Sequence, residues 1–433
     1  MTSEPSPKKR RIVKESRIDE DDSDILIDDV LCEIIKVVPF REQCQLRRIS
    51  TQWQRCVHRA VQKVLITSHP WTLGSLLSQF PNITMLALNS RLIWSDEDGI
   101  HNLHLLSTRV PLITRLDIDM DTSISPHWGF LKTLKNLREF KVLKNHSKVD
   151  DDLWNDIPCT VETLTIRISK VENLAERLSH LQSLKTLIVD CQWDREYGSL
   201  KEFTLPFGLK ELSLKIGTST RGWIDLDCLV AWLSNSKLGI SLRSLKIWGG
   251  LHNFILGEHS GYCFPMIDTL GLFGHGDDIH IPNFDVFPGV THLITDSWIR
   301  TCHPRAFPNL CRVSLDNYDV MSDVHLLWMK MSLNSASFHM RLKTKLPEEQ
   351  IQMAQNIELL IAIQRNTLKE ITFHGQMPWS IFRWDMFNNL PFLEKIILTD
   401  RCMFDTLSDF KVPGPLPVVY VDKGHEFDFI KEY

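Results

Sequence analysis

A nine-residue pattern reads FPNITMLAL at residues 80–88 and returns as VPLITRLDI at residues 110–118. Its members share an apolar first residue, often Pro or Asn next, and then apolar-x-x-apolar-x-apolar. Further copies occupy residues 134–142, 181–189, 264–272, 307–315 and 390–398. We call this pattern the repeat line. Its last apolar residues alternate with polar ones, which predicts a short β-strand with one buried face.

The spacing of the repeat lines predicts a stacked architecture. Successive copies lie mostly 20 to 33 residues apart, and a degenerate copy at 337–340 divides the one longer interval. Between the lines, segments such as 171–181, 226–233 and 348–363 are apolar at helical spacing. One unit is therefore strand, turn and helix, and a period in the twenties is typical of leucine-rich repeats. The predicted fold class is α/β, a solenoid over 67–433 with parallel strands on its concave face, helices on its convex face and a C-terminal cap.

The copies are irregular, and this region resembles the irregular members of the leucine-rich-repeat class. The asparagine that such repeats carry after the second strand leucine is present as Asn145 in one copy. The resemblance therefore leaves the regularity of the turns open, although not the solenoid.

Composition narrows the class of function. The chain has 433 residues, 43% of them hydrophobic and 24% charged, with a formal net charge of -5. This balance does not favour nucleic-acid binding, since there is no overall basic field to attract phosphates. The sequence has no apolar run long enough to span a bilayer and no signal-peptide core, so we expect no membrane association. Its ten cysteines are scattered without a C-x-x-C pair, which favours reduced thiols.

The N-terminal segment 1–24 is polar and is expected to be a disordered tail. It contains a compact basic run, Lys8, Lys9, Arg10 and Arg11, that resembles a nuclear import signal. A solvated charge run is the alternative interpretation. The expected location is the nucleus, the cytoplasm or both.

Residues 25–66 form a small helical module, whose first apolar stripe ends at Pro39. The module resembles an F-box, the motif that docks a protein onto the Skp-family adaptor of cullin-RING ubiquitin ligases. The spacing from Leu26 through Pro39 to Trp53 follows the family pattern. The resemblance implies an adaptor-binding set of Leu26, Ile27, Val30, Leu31, Ile34, Pro39, Leu46, Ile49 and Trp53.

The module departs from the F-box pattern at three places. Ile27 stands where Pro is usual, Gln43 replaces a leucine and Ser50 replaces a cysteine. We expect the polar side chain at Gln43 to weaken helix packing. The alternative for the whole module is a helical cap that covers the end of the solenoid.

The residues that follow the buried pair of each strand are predicted to line the concave face. Trp248 and Phe273 are neighbours in this row, and the predicted substrate-binding set is Arg167, Lys215, Trp248, Phe273, Asp296 and Asp316. Exposed aromatic side chains beside charge are typical of protein-recognition hot spots. The alternative is that the two rings pack on each other or on a loop. The same row is predicted to place Arg341 directly after Asp316.

Two longer segments, 249–263 and 274–285, carry His252, His259, His275 and His280 with acidic neighbours. A metal site would need a second pair of ligands, so polar, flexible surface loops are predicted here. We expect no metal and no cofactor.

No nucleophile, phosphate-binding or metalloprotease motif occurs in the sequence, and we predict a non-catalytic protein. The resemblance implies the substrate-recognition subunit of an SCF-type ubiquitin ligase, with a Skp-family adaptor, a cullin-RING core and a protein substrate as partners. The alternative is a leucine-rich-repeat interaction scaffold outside any ligase. An enzyme with an unrecognised site is the third interpretation.

Overall fold

The computed structural model describes the chain from residue 20 to residue 421 with gaps. The described residues are 20–38, 40–66, 77–89, 103, 106, 108, 110–120, 128–144, 151–168, 174–191, 208–216, 240–248, 254–255, 263–273, 279–281, 287–295, 299–302, 307–316, 332–340, 347–375, 387, 389–399 and 418–421.

Three helices open the described chain: α1 (Glu20–Val37), α2 (Phe40–Leu46) and α3 (Thr51–Ala60). Ser50 caps α3, because its hydroxyl accepts a hydrogen bond from the main-chain N–H of Trp53 at 3.2 Å. Helix α1 begins inside the segment predicted to be a tail. The first strand of the solenoid, β1 (Lys63–Ile66), lies inside the range assigned to the helical module, so the solenoid starts earlier than predicted.

Among the described residues, fifteen strands form one sheet. Its strands follow in order as β1, β2 (Met85–Asn89), β3 (Arg115–Met120), β4 (Glu139–Lys144), β5 (Thr163–Ile168), β6 (Thr186–Cys191), β7 (Glu211–Ile216), β8 (Ser244–Trp248), β10 (Thr269–Phe273), β12 (His292–Thr295), β14 (Arg312–Asp316), β15 (Ser335–Met340), β16 (Glu370–Gly375), β17 (Lys395–Thr399) and β18 (Val418–Val421). Each strand pairs in parallel with the next, as in Leu245 opposite Leu270. The parallel-strand solenoid predicted from the repeat lines is confirmed.

The segments that connect the strands include helices, which lie on the side of the sheet that faces the core. These are the 3-10 helix Trp128–Thr133, α4 (Asp151–Asp156), α5 (Leu174–Arg177) and α6 (Pro347–Ile363). The helices expected within 171–181 and 348–363 are therefore present, and the segment 226–233 lies outside the described residues. In the described part of the chain, no helix is both long and apolar enough to cross a membrane.

A second, three-stranded parallel sheet was not predicted. It consists of β9 (Phe254–Ile255), β11 (Ile279–Ile281) and β13 (Ile299–Cys302), with β11 in the middle. The prediction of flexible loops at 249–263 and 274–285 was wrong where these strands form. The backbone of His280 lies in β11, whereas His252, His259 and His275 lie outside the described residues.

The turn before each strand is fixed by the first residues of the repeat line. In six of the seven repeat lines named above, the main-chain N–H of the fourth residue donates to the carbonyl of the first, as in Ile113 to Val110 at 3.2 Å. The Asn136 amide donates to the carbonyl oxygen of Pro111 at 2.9 Å, and that of Asn309 to Pro288 at 3.0 Å. Asparagine therefore links neighbouring repeats before the strand, in the Pro-or-Asn region of the line.

One hydrophobic core runs through the whole array. It contains Cys32 and Ile35 of α1, Val57 of α3 and the paired apolar residues of successive strands up to Leu398. The helical module and the solenoid thus share a core, and a single unit does not bury its apolar face alone.

Candidate functional site

The side of the sheet turned away from the core carries the residues that alternate with the buried pairs. In β8, Leu245 and Ile247 are buried, while Ser244, Lys246 and Trp248 are partly exposed. We keep the name concave face for this side. Because every strand pairs in register with the next, its residues form rows that run across the strands.

Trp248 and Phe273 occupy neighbouring places in one of these rows. Their rings are stacked, with centroids 4.4 Å apart and an interplanar angle of 7°. Phe273 is only 6% exposed and Trp248 is half-buried. The alternative stated above, that the two rings pack on each other, is what the structure shows. The pair still lies on the concave face, since Phe273 is buried outside the hydrophobic core.

Gly271 provides the space for this stack. A Cβ atom at Gly271 would lie 2.8 Å from Cγ of Lys246 and 2.9 Å from Cε2 of Phe273. The lysine stem and the phenylalanine ring therefore fold over the glycine from two sides.

Arg167 and Asp190 form a buried ion pair on the concave face. Both Nε and Nη2 of Arg167 lie 2.9 Å from Oδ2 of Asp190, and the arginine is buried. Such a pair fixes two neighbouring strands, β5 and β6, which is a structural role for Arg167. Lys215 is half-buried and lies in register between Asp190 and Trp248.

The last two residues of the predicted substrate-binding set are Asp296 and Asp316. Asp296 lies outside the described residues, and so does the side chain of Asp316, whose backbone ends β14. The strand register pairs Asp316 with His339. The predicted row, which put Arg341 at that place, was therefore wrong by two residues.

A second charged cluster lies on the concave face of β3 and β4. Arg115 donates to both carboxylate oxygens of Asp117 at 3.1 and 3.0 Å, and its guanidinium lies 3.4 Å from Glu139. Burial lowers the pKa of the Lys141 ammonium, and nearby Asp117 opposes this shift. Asp117 and Lys141 help to line a shallow hollow in the sheet. Sequence reasoning missed the cluster because it followed one row and not its neighbour.

His292 and Ser314 make a further polar contact between neighbouring strands. Nε2 of His292 lies 2.9 Å from Oγ of Ser314. Burial, followed by the positive charges of Arg312 and Lys246, lowers the pKa of the His292 imidazole below its usual value. Nearby Asp268 opposes this shift, so positive and negative charges both lie close to this contact.

The helical module divides its apolar side chains between two faces. Val30, Ile34, Val37 and Ile49 are 54%, 47%, 83% and 61% exposed. Leu31, Leu46 and Trp53 of the predicted adaptor-binding set pack instead against the core. The side chains of Leu26 and Ile27 lie outside the described part, as do Pro39 and the basic run at 8–11.

Gln43 does not weaken the module. It is buried, and its Nε2 donates to the carbonyl oxygens of Ile35 and Val38, both at 2.7 Å. Both carbonyls lie at the carboxyl end of α1, where helical acceptors run out of helical donors, and that of Ile35 also accepts from the main-chain N–H of Val38 at 3.1 Å. The expectation that a polar residue here disturbs packing was wrong.

Within the described ranges, no three side chains of the His, Cys, Asp and Glu types are grouped so that they could hold a metal ion.

Comparisons with known proteins give partial structural likenesses. No protein-family model and no curated protein matches the sequence. The chain is similar to a chain of the TLR13–ssRNA13 complex, with 17% identity, 78% of this chain and 45% of that chain covered, and a TM-score of 0.42. It is also similar to a chain of the Drosophila Toll–Spatzle complex, with 12% identity, coverages of 75% and 41%, and a TM-score of 0.37. This chain spans less than half the length of either.

Proposed function

We propose that this protein is the substrate-recognition subunit of an SCF-type ubiquitin ligase. The helical module docks a Skp-family adaptor, and the solenoid holds a target protein. The observation that carries the proposal is the exposed apolar stripe of the module, in a segment with F-box spacing.

The stripe is continuous on α1. Val30, Ile34 and Val37 are separated by four and three residues, which places them on one side of the helix. Ile49, just after α2, adds a fourth exposed aliphatic side chain. Single exposed apolar residues are common, but several in one helical stripe are typical of a binding surface.

The opposite side of the module is fixed to the solenoid. Ile35 and Val57 belong to the shared core. The guanidinium of Arg47 lies over the Phe80 ring at 5.3 Å, and the His58 ring makes an edge contact with the same Phe80 ring. A rigid connection supports the proposed mechanism, because it would hold a target at a fixed distance from the ligase core and raise the effective concentration of its lysines.

The shared core also favours the second candidate, a repeat scaffold whose helices only cap the first strand. In that case the exposed stripe would have no adaptor to bind. The two functions therefore differ in one measurable property, the affinity for the adaptor.

Val30→Asp tests this surface directly. We expect it to abolish co-purification with a Skp-family adaptor without lowering the melting temperature, because the wild-type side chain is half-exposed. Phe392→Asp is the matched control, since Phe392 is 55% exposed at a distant repeat line, and it should leave adaptor binding unchanged. A wild-type protein that does not bind the adaptor would exclude the ligase role and leave the scaffold.

Nuclear import through Lys8, Lys9, Arg10 and Arg11 is a separate proposal. Fusion of residues 1–20 to a fluorescent reporter tests it, and purely diffuse fluorescence would refute it.

A further inference from the structure

The aromatic stack on the concave face has a charged neighbour held in place by the fold. Lys246 lies two residues before Trp248 on the same face of β8, and Gly271 lies opposite it on β10. The lysine stem passes over the glycine, where a side chain would otherwise stand. The stem therefore lies beside Phe273, on the face of the sheet that carries the aromatic pair.

This arrangement is preorganised. Trp248 and Phe273 already stack on each other, so neither ring must be ordered when a ligand binds. Trp248 is the partly exposed member and presents the remaining free ring surface. A side chain that packs on this surface loses little conformational freedom on the protein side.

Of the charged residues described near the stack, Lys215, Lys246 and Arg312 are positive and Asp268 is negative. Arg312 lies opposite His292 in the register, and its charge and that of Lys246 add to the effect of burial in lowering the pKa of the His292 imidazole. Lys215 lies next to Trp248 in the row. A ligand that pairs with this region must carry negative charge beside an apolar group.

The second, three-stranded sheet lies next in the chain to the strands that carry the aromatic stack. Strand β9 begins six residues after the end of β8, and β11 begins six residues after the end of β10. The second sheet thus follows the same strands that carry the stack, at their carboxyl ends.

We propose that Lys246, Trp248 and Phe273 together recognise an acidic peptide segment of a partner protein, with an aromatic or aliphatic anchor next to a carboxylate. The anchor packs on Trp248, and the carboxylate pairs with the Lys246 ammonium. This names the class of target for the recognition surface, and it rests on the proposed function only in that the solenoid binds a protein.

Selection of a phage-displayed random 12-residue library on the full-length protein tests the proposal. Wild type should enrich peptides in which Asp or Glu flanks an apolar residue. Lys246→Glu should shift the flanking residues from acidic to basic, while the control Lys369→Glu, an ion-paired lysine near the far end of the sheet, should keep the acidic preference. Failure to enrich any peptide, or the same acidic preference in Lys246→Glu, would overturn the proposal.

A second variant addresses the geometry. Gly271→Ala must displace the Lys246 stem and the Phe273 ring, so a selected acidic peptide should bind about tenfold more weakly by fluorescence polarisation. Unchanged affinity would show that the folded-over lysine is not the contact. Adaptor binding is measured on the same preparations to separate the two proposals. If the protein does not bind the adaptor but still selects acidic peptides, only the ligase role is refuted.

Discussion

Gly289 is the position at which a single methyl group should damage the solenoid most clearly. It lies in the turn that enters β12, against the main chain of the preceding repeat. A Cβ atom there would lie 2.1 Å from the carbonyl oxygen of Pro265, 2.9 Å from its carbonyl carbon and 3.0 Å from the carbonyl oxygen of Ile267. All three atoms are main chain, so no side-chain rotation relieves the contact.

The size of the effect follows from these distances. Carbon and oxygen approach to about 3.3 Å even in close C–H···O contacts, so Gly289→Ala needs a displacement of about 1.2 Å. The turns that would move are held by hydrogen bonds from Ile267 N to Phe264 O at 3.3 Å and from Val290 N to Phe287 O at 3.2 Å. Overpacking costs about 1–3 kcal/mol, and we expect a loss of about 3 kcal/mol in the free energy of unfolding because backbone must shift.

Gly208→Ala is the control for backbone conformation without close approach. Gly208 has a φ of 89°, and a Cβ there would meet no atom within 4 Å. Its cost should be about 1–2 kcal/mol, from the left-handed conformation alone. Urea denaturation followed by circular dichroism measures both, and amide hydrogen exchange locates the loss in β10 and β12. If Gly289→Ala destabilises the protein no more than Gly208→Ala, or leaves exchange in β10 and β12 unchanged, the close approach does not hold these repeats together.

Two further predictions concern polar side chains, one buried and one half-buried. Gln43→Leu should lower the free energy of unfolding by about 1–3 kcal/mol in urea denaturation, because the carbonyls of Ile35 and Val38 lose a buried donor, whereas a rise in stability would refute the capping role. Burial holds the folded-state pKa of His292 below its ordinary value of about 6.5, so the unfolded chain binds more protons and the free energy of unfolding should rise with pH from that lowered pKa to about 6.5. Urea midpoints of wild type and His292→Gln between pH 5 and pH 7 measure this, and an equal slope in both would assign the pH dependence to other groups.

The strands of the main sheet could be predicted because their signal is local. Leu245 and Ile247 alternate with partly exposed residues inside one short strand, and such alternation is visible in the sequence. The second sheet could not be predicted in this way. Its strand β9 has two residues, which is too short for any alternation, and only its pairing with β11 defines it.

The position of the candidate site could be predicted from the sequence, but the contacts within the site could not. Trp248 and Phe273 occupy the same place in successive strands, so their adjacency follows from register. Their stacking could not be read in this way, because the Phe273 ring also uses the space above Gly271, where a Cβ atom would lie 2.9 Å from its Cε2. Likewise, Gln43 departs from the family pattern, yet its two carbonyl partners become known only when α1 and α2 are placed in space.

Adjacent residues of helix α1 serve the two parts of the proposed function, the attachment to the solenoid and the binding of the adaptor. Ile35 is fully buried in the core that continues into the solenoid, while Ile34 is half-exposed on the apolar stripe. Successive helical residues point about 100° apart, so neighbouring side chains can serve different surfaces of one helix. A helical cap needs only the buried side of α1. In the scaffold function, the exposed apolar stripe of α1 would bind nothing. An adaptor-binding module anchored on a target-binding solenoid needs both, which is why the exposed side of α1 distinguishes the two functions.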